Sequence, residues 1–337
     1  AAQVVSLEPP CSAGTVAARP LPRDLWARHA GPEPLVGLRS PGEMCGQAEM
    51  VPKIAVAVAY VAMVALNGIS AAGVFGMNIG TISDENPTFI TPDGRTFAVW
   101  SVIYLLHLGM VVGQFRASDE EENGLLAQPC PLTGLSVRCR IVMAFGLNGV
   151  WLPAWTSLWF TAALVIIVCY LGVLVSLYIS LNTRTASPSF CQWLTFAAPI
   201  AANGSWLLVA TMTNIFVVAG GMGWKDPNGV AGSERAAFAV VCVVCGIACF
   251  LALHEGDVLW PAVAAWALAG IYRAQTTVDA ESFPPMSMKA NLGTLAAVCS
   301  ALASLAALGG AYVAVKIARE RQSAGGHALL QLPGFGK

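Results

Sequence analysis

The stretch TFAVWSVIYLLHLGMVVGQ, residues 96–114, decides the fold. It contains no Asp, Glu, Lys or Arg, and as a helix rising about 1.5 Å per residue it nearly crosses a bilayer. At about 100° per residue, one face collects two aromatic rings and two hydrogen-bonding groups, on Trp100, Tyr104, His107, Val111 and Gln114. A helix surrounded only by lipid does not need such a face. We therefore expect this face to contact protein or a ligand.

The composition is that of an integral membrane protein. Hydrophobic residues make up 56% of the chain and charged residues 11%, against about 25% charged residues in soluble domains. Membrane lipids are therefore expected partners. The net charge of -1 gives no reason to expect nucleic acid as a partner. The ten cysteines are scattered, mostly in apolar runs, so no disulfide framework is predicted.

The hydrophobic pattern predicts an all-α membrane bundle of about eight transmembrane helices. Each apolar segment is long enough, or nearly so, to span as a helix. The segments cover residues 54–76, 96–115, 139–157, 159–181, 189–221, 236–254, 258–273 and 290–316. Pro153 leaves a second interpretation for the third and fourth segments, as one long kinked helix.

The distribution of basic residues favours eight spans. With eight, 13 of the 18 Lys and Arg residues fall on the side that also holds both termini. This bias follows the positive-inside rule and predicts that both termini are cytoplasmic or stromal. Fusing the third and fourth segments would reverse every later loop and erase most of the bias.

The N-terminal residues 1–52 have the composition of a segment without its own core. They are rich in Pro, Gly, Ala and Arg and show no sustained hydrophobic period. Because the chain begins at Ala1, we interpret it as a processed, organelle-targeted precursor. We expect residues 1–52 to contact other subunits of a membrane complex; a disordered tail is the alternative.

Four short motifs follow one another in a recognisable order. The first is a loop, Asn86 to Pro92, with Phe89 at its centre. The other three lie on predicted helices: Phe97, Trp100 and Ile103-Tyr104 on the second, Asn148 and Trp151 on the third, and Trp206, Ala210 and Asn214 on the fifth.

In this order the motifs resemble the TspO family, the translocator or tryptophan-rich sensory proteins. The later Trp266, Gly270 and Ile271 are similar to the longer, bacterial-type relatives with extra C-terminal helices. The loop departs from the family pattern, because Phe89 replaces a tryptophan and one proline is missing. The Pro-Tyr that usually precedes the last motif is also absent. The resemblance divides the chain into a five-helix core at 53–223, three additional helices at 224–316 and a tail at 317–337.

The resemblance implies a bundle around a pocket for porphyrins or other hydrophobic ligands such as sterols. Carried over by position, the lining residues are Phe89, Trp100, Tyr104, Asn148, Trp151, Trp206 and Asn214. Flat aromatic rings stack on a macrocycle, while Tyr and Asn donate to its carboxylates or carbonyls. The alternative is that these residues only join helices, through packing and interhelical hydrogen bonds.

Four further residues are candidate axial ligands of a pigment: His107, Gln114, His254 and Glu255. Imidazole, amide and carboxylate groups can bind the magnesium of a chlorophyll, and imidazole can bind a haem iron. A membrane histidine that is simply hydrogen-bonded to a neighbouring helix is the alternative. Cys242, Cys245 and Cys249 share one helix face, and we interpret them as packing residues, so no protein-bound metal ion is predicted.

The residues and the resemblance support two functional hypotheses. In the first, the protein is a non-catalytic accessory subunit of a photosystem-type complex in the plastid thylakoid membrane, with chlorophyll or porphyrin, carotenoid or lipid as candidate cofactors. In the second, it is a stand-alone TspO-like protein that binds, transports or senses a porphyrin or sterol. Catalytic porphyrin degradation, proposed for the family, is not expected here because the loop is altered. Apart from Arg140, Arg273 and Lys316 at or next to their ends, the spans contain no Asp, Glu, Lys or Arg, which argues against an ion-coupled transporter.

Overall fold

The computed structural model describes residues 41–77, 79–118, 124–181, 189–276 and 289–330, with side chains from Met50 to Glu320. The chain divides into two units, 1–45 and 46–337, and the second unit forms the helix bundle. Within the described residues every regular element is a helix, and β pairing is limited to isolated bridges. The predicted all-α bundle is therefore confirmed.

In the part of the chain that the structure describes, eight long helices follow one another in the predicted order, with one short helix after the first. They are α1 (Pro41–Ala71), the short α2 (Ile79–Glu85), α3 (Val99–Gly113), α4 (Val137–Thr156), α5 (Phe160–Leu181), α6 (Ala198–Gly221), α7 (Glu234–Glu255), α8 (Leu259–Thr276) and α9 (Ala290–Leu330). Two 3₁₀ turns, Gly94–Ala98 and Gln114–Arg116, extend α3 at its two ends. A helical turn at Phe190–Gln192 and a π-turn at Trp193–Ala197 lead into α6.

Six helical stretches of the described chain are long and apolar enough to cross a membrane. They are Met50–Ala71, Gly94–Arg116, Phe160–Leu181, Phe190–Gly221, Glu234–Glu255 and Ala290–Glu320. The protein is therefore an integral membrane protein. The helices α4 and α8, with 20 and 18 residues, are long enough for the same test but not apolar enough, since α4 carries Arg138 and Arg140 and α8 carries Arg273. That these two also cross stays a prediction.

The connection between α4 and α5 separates two helices, as the charge pattern favoured. Leu158 has a left-handed φ of 63°, which ends α4. The Leu158 N–H donates to the Trp155 carbonyl at 3.0 Å, and the Trp159 N–H donates to the Ala154 carbonyl at 2.9 Å. This pair of bonds is a Schellman motif, after which α5 packs back against α4. Pro153 lies inside the last turn of α4 and does not itself break the chain.

The central helix of the bundle is α6, which packs against α3, α5 and α8, while α9 packs against α7 and α8. Small residues permit these close contacts. An ideal Cβ on Gly204 of α6 would lie 2.7 Å from the Trp260 ring at the start of α8. One on Gly149 of α4 would lie 3.3 Å from the Met63 Cα of α1. The additional C-terminal helices are thus packed tightly onto the five-helix core.

Candidate ligand site

An aromatic cluster occupies the interior between α3, α4 and α6. Its centre is Trp100, whose ring centroid lies 5.5 Å from Tyr104, 6.1 Å from Trp151 and 6.3 Å from Trp206. Phe97 stands edge-on to Trp206 at 5.6 Å. Rings at these separations are in contact. The three tryptophans that belong to the sequence motifs therefore form one continuous aromatic surface.

Two indole N–H groups in this cluster have no partner. Trp151 is 8% exposed and Trp206 is 1% exposed, and neither Nε1 has a hydrogen-bond partner in the described part of the chain. A buried donor left without an acceptor costs about 1–3 kcal/mol. A hydrogen bond from one of these N–H groups to an acceptor oxygen of a ligand would therefore contribute more binding free energy here than on a solvated surface.

A chain of buried side-chain amides and phenols runs beside the cluster. The Asn67 amide of α1 donates to the Tyr104 hydroxyl at 2.8 Å and to the Asn148 Oδ1 at 2.6 Å. The Asn148 amide in turn donates to the Tyr170 hydroxyl of α5 at 3.1 Å. Because polar groups away from water must pair, these bonds fix the relative positions of α1, α3, α4 and α5.

The same chain continues to α6 and ends at a histidine. The Asn203 amide donates to the Tyr170 hydroxyl, and it lies 3.5 Å from the His107 Nε2. His107 is 1% exposed, and its ring lies edge-on to Phe145 at 5.1 Å. Three atoms of the chain have no partner in the described residues: Asn67 Oδ1, Asn203 Oδ1 and His107 Nδ1. The cluster therefore borders a polar layer that still has hydrogen-bonding capacity.

The structure brings together five of the seven residues carried over from the family motifs, namely Trp100, Tyr104, Asn148, Trp151 and Trp206. The contacts of the other two lie elsewhere. The backbone of Phe89 is bonded to Ala231, at 3.4 Å, and to the Gln275 side chain, at 3.1 Å. The Asn214 amide donates to the Ala210 carbonyl of its own helix at 2.8 Å.

The remaining candidate pigment ligands lie near helix ends. The Gln114 amide donates to the Lys53 carbonyl of α1 at 3.1 Å. The His254 Nδ1 lies 2.7 Å from the Glu255 Oε1, and its ring stacks on Phe250 at 5.0 Å. Within the described residues, no group of three or more His, Cys, Asp or Glu side chains has the arrangement of a metal site.

Sequence reasoning missed three members of the polar chain, Asn67, Tyr170 and Asn203. A signal for Asn67 and Asn203 was present, because an asparagine inside an apolar span is costly unless it is paired within the bundle. All three positions lie outside the family motifs, so the resemblance does not indicate them.

One groove described by the structure lies away from the tryptophans. It has a volume of about 390 Å³ and is lined by Gly109, Val112, Gly113, Arg116, Cys191, Gln192, Thr195 and Phe196. It lies between the end of α3 and the π-turn, whereas the rings of the aromatic cluster lie against one another. A ligand that binds among the tryptophans must therefore part side chains that now touch.

The fold and the site define a polytopic helical membrane protein with a tryptophan-rich interior. The family model described as TSPO-like protein matches residues 53–309, and the chain belongs to this family. The match runs past the five-helix core into α9, so the additional helices are part of it. Neither the comparison with curated proteins nor that with solved structures finds a match.

Proposed function

We propose that the protein binds a tetrapyrrole, or another flat hydrophobic ligand with acceptor oxygens, at Trp100, Trp151 and Trp206 without transforming it. The observation that carries this proposal is the pair of indole N–H groups that have no partner in the described residues and lie among closely packed aromatic rings. Membership of the TSPO-like family supports it, because proteins of that family bind tetrapyrroles in general.

The chemistry of the site suits such a ligand. The tryptophan faces supply apolar surface and the indole N–H groups donate to carboxylate or carbonyl oxygens. Tyr104 and Asn148 are already bonded to Asn67, so their positions are set before the ligand arrives. Such preorganisation lowers the entropy that binding must offset.

The experiment is a titration of the detergent-purified protein with protoporphyrin, followed by Trp151→Phe and Trp206→Phe. Each variant keeps an aromatic ring and removes one N–H donor. We expect each to weaken binding about tenfold, the loss of roughly one hydrogen bond. Trp159→Phe is the matched control, because Trp159 is 68% exposed. Absence of saturable binding in the wild type, or equal affinities in all four proteins, would refute the proposal.

We further propose that the protein is an accessory subunit of a larger photosynthetic complex in the thylakoid membrane, with both termini on the stromal side. The observation that favours this is at the end of α7. The His254 side chain is 50% exposed while its Nδ1 is held by the Glu255 carboxylate at 2.7 Å. Histidines that bind metals typically have the other ring nitrogen bonded to such a carboxylate. A ring held in this way would suit binding to the magnesium of a neighbouring pigment.

Solubilising the native membrane in mild detergent tests the second proposal. We expect the protein to migrate with pigment–protein complexes, and His254→Ala to lose chlorophyll absorption while leaving protoporphyrin binding unchanged. Migration as a pigment-free monomer would contradict the accessory role and leave the stand-alone ligand-binding protein as the function.

A further inference from the structure

The groove between the end of α3 and the π-turn is large enough to hold a ligand. Its volume is about 390 Å³, within the range of about 300–1,000 Å³ that is usual for ligand pockets. Val112 and Arg116 line it on the side of α3, and Thr195 and Phe196 line it on the side of the π-turn. The groove therefore combines apolar surface with one positive charge.

Two glycines on one face of α3 determine the shape of the groove. Gly109 and Gly113 are four residues apart and so lie on the same face of the helix. An ideal Cβ on Gly113 would clash with the Thr195 methyl group, whereas one on Gly109 would meet nothing within 4 Å. The helix α3 therefore contacts the π-turn at Gly113, and the groove is open beside Gly109.

The opposite wall is an irregular piece of helix. In the π-turn Trp193–Ala197, the hydrogen bonds reach one residue further back than in an α-helix, so that the Ala198 N–H donates to the Trp193 carbonyl. Single π-turns inside helices are rare and are found frequently at functional sites. Thr195 and Phe196 belong to this turn and line the groove. The irregular turn thus supports a functional interpretation of the groove.

The groove lies where two membrane spans reach the surface of the bilayer. The span Gly94–Arg116 ends at the groove and the span Phe190–Gly221 begins there. Along α3, the exposed side chains of Leu105, Leu108 and Val112 follow one another at helical spacing toward the middle of the span. An acyl chain can therefore lie in the groove and continue along this apolar strip while its head group stays at the surface.

Arg116 supplies the charge at the surface end of the groove. Its side chain is exposed, and its guanidinium has no partner within the described residues. A guanidinium binds phosphate oxygens with two parallel hydrogen bonds. Basic pockets between membrane helices on the cytoplasmic side typically bind anionic lipid head groups. Arg116 is one of the 13 basic residues that are predicted to lie on that side.

We propose that this groove binds one molecule of an anionic phospholipid. Its phosphate contacts the Arg116 guanidinium, and one acyl chain lies over Gly109 and Val112, against Phe196. The site is separate from the aromatic cluster and does not depend on the proposed tetrapyrrole. A lipid bound there contacts both α3 and the start of α6, the helices that carry Trp100 and Trp206.

The experiment uses Cys191, an exposed thiol that lines the groove. The full-length protein is delipidated in non-ionic detergent and alkylated with a water-soluble maleimide, and the modified peptides are quantified by mass spectrometry. Phosphatidylglycerol at about ten times its dissociation constant should slow the alkylation of Cys191 about tenfold, because about a tenth of the grooves is then empty. Phosphatidylcholine with the same acyl chains should protect much less. Cys139, exposed at the start of α4, is the internal control and should react at an unchanged rate.

Variants of Arg116 test the head-group contact. In Arg116→Gln, phosphatidylglycerol should protect Cys191 no better than phosphatidylcholine does. Arg116→Lys should lie between this variant and the wild type, because an ammonium keeps the charge but not the bidentate geometry. Arg95→Gln removes the same charge from an exposed residue at the other end of α3, and it should leave the protection unchanged.

A variant of Gly109 tests the acyl-chain contact. Gly109→Leu places a side chain in the open part of the groove and should abolish the protection of Cys191 by either lipid. Gly172→Leu in α5 is the matched control, because an ideal Cβ there also meets nothing within 4 Å. An unchanged rate at Cys139 in each variant shows that the bundle is still folded.

Three outcomes would overturn the proposal. Equal protection by the two lipids would mean that the head-group charge is not recognised. Protection by phosphatidylglycerol that survives Arg116→Gln or Gly109→Leu would place the lipid outside the groove. Protection by protoporphyrin but not by phosphatidylglycerol would assign the groove to the tetrapyrrole. Since the lipid arm contains no protoporphyrin, its result is independent of whether the tryptophans bind a tetrapyrrole.

Discussion

At the residue scale, the interior depends on amide side chains that a lipid-facing helix would not carry. Asn148 of α4 accepts from Asn67 of α1 at 2.6 Å and donates to Tyr170 of α5 at 3.1 Å. It therefore joins three helices through one side chain. Because these groups are buried, a group that loses its partner has no water to bond with instead.

We predict that Asn148→Leu lowers the stability of the bundle by about 1–2 kcal/mol, since Asn67 and Tyr170 lose a partner in a dry interior. The measurement is unfolding by SDS in mixed micelles. Asn214→Leu is the control, because the Asn214 amide donates within its own helix, to Ala210. If the two variants lose equal stability, the interhelical hydrogen bonds contribute no more than a bond within one helix.

A second residue-scale prediction concerns the left-handed Leu158 at the end of α4. Its φ of 63° is unfavourable for a side chain with a Cβ by about 1–2 kcal/mol, and a glycine avoids that cost. Leu158→Gly should therefore be more stable than Leu158→Ala by about 1 kcal/mol. The same unfolding assay checks this, and a less stable glycine variant would mean that the connection adopts another conformation.

At the element scale, hydropathy predicted the eight long helices and their order, but some of their ends differ. The first helix begins at Pro41 and the last runs to Leu330, beyond the predicted segments 54–76 and 290–316. Hydropathy marks only the part of a helix that prefers lipid, whereas the backbone bonds continue through polar residues that favour helix. Proline at the first helical position suits the start at Pro41.

Two adjacent glycines of α9 provide an element-scale prediction about packing. An ideal Cβ on Gly310 would lie 2.3 Å from the Asp257 carbonyl oxygen, in the turn between α7 and α8. On Gly309 the nearest atom would be the Leu253 Cδ2, at 3.5 Å. Gly310→Ala should therefore push α9 away from that turn and destabilise the bundle by about 1–3 kcal/mol.

Gly309→Ala is the matched control for that prediction. It meets only ordinary contact and gains about 0.8–1 kcal/mol of helix propensity, so its stability should equal or exceed that of the wild type. Equal stability of the two alanine variants would mean that α9 does not approach the turn as closely as the structure shows.

At the scale of the whole molecule, local motifs predicted the tryptophans of the site but not the contacts between distant segments around it. Trp100, Trp151 and Trp206 were found because each belongs to a short pattern on one helix. The ion pair between Asp93 and Arg273 joins residues 180 positions apart in the sequence. No pattern within one segment indicates such a pair, since it depends on where α8 packs. The same holds for Tyr170, whose hydroxyl accepts hydrogen bonds from Asn148 and Asn203 only because α4, α5 and α6 meet there.

The topology of the whole chain depends on whether α4 and α8 cross the membrane. Eighteen residues of α8 span about 27 Å, close to the hydrocarbon thickness of about 30 Å. Residues along it, such as Ala264, Ala267 and Leu268, are fully buried against protein, so little of α8 depends on lipid. Its Arg273 is paired with Asp93 near one end. In α4 the arginines stand at the first turn, where Arg140 donates to the Ser176 carbonyl at 2.7 Å.

We therefore predict that both helices cross and that both termini face the same side. Epitope tags that are detected from one side of the membrane only, placed at the N-terminus and at four further positions, check this. Tags at 225–229 and 277–288 should react from one side, and tags at 182–188 and at both termini from the other. If α8 does not cross, the tag at 277–288 should react from the side of 182–188, and the C-terminus should move to the opposite side. If α4 does not cross, the tags at 182–188 and 225–229 should each react from the side opposite to that predicted, relative to the N-terminus. Eight crossings place the 13 basic residues with the termini, so the measured side also tests the positive-inside assignment.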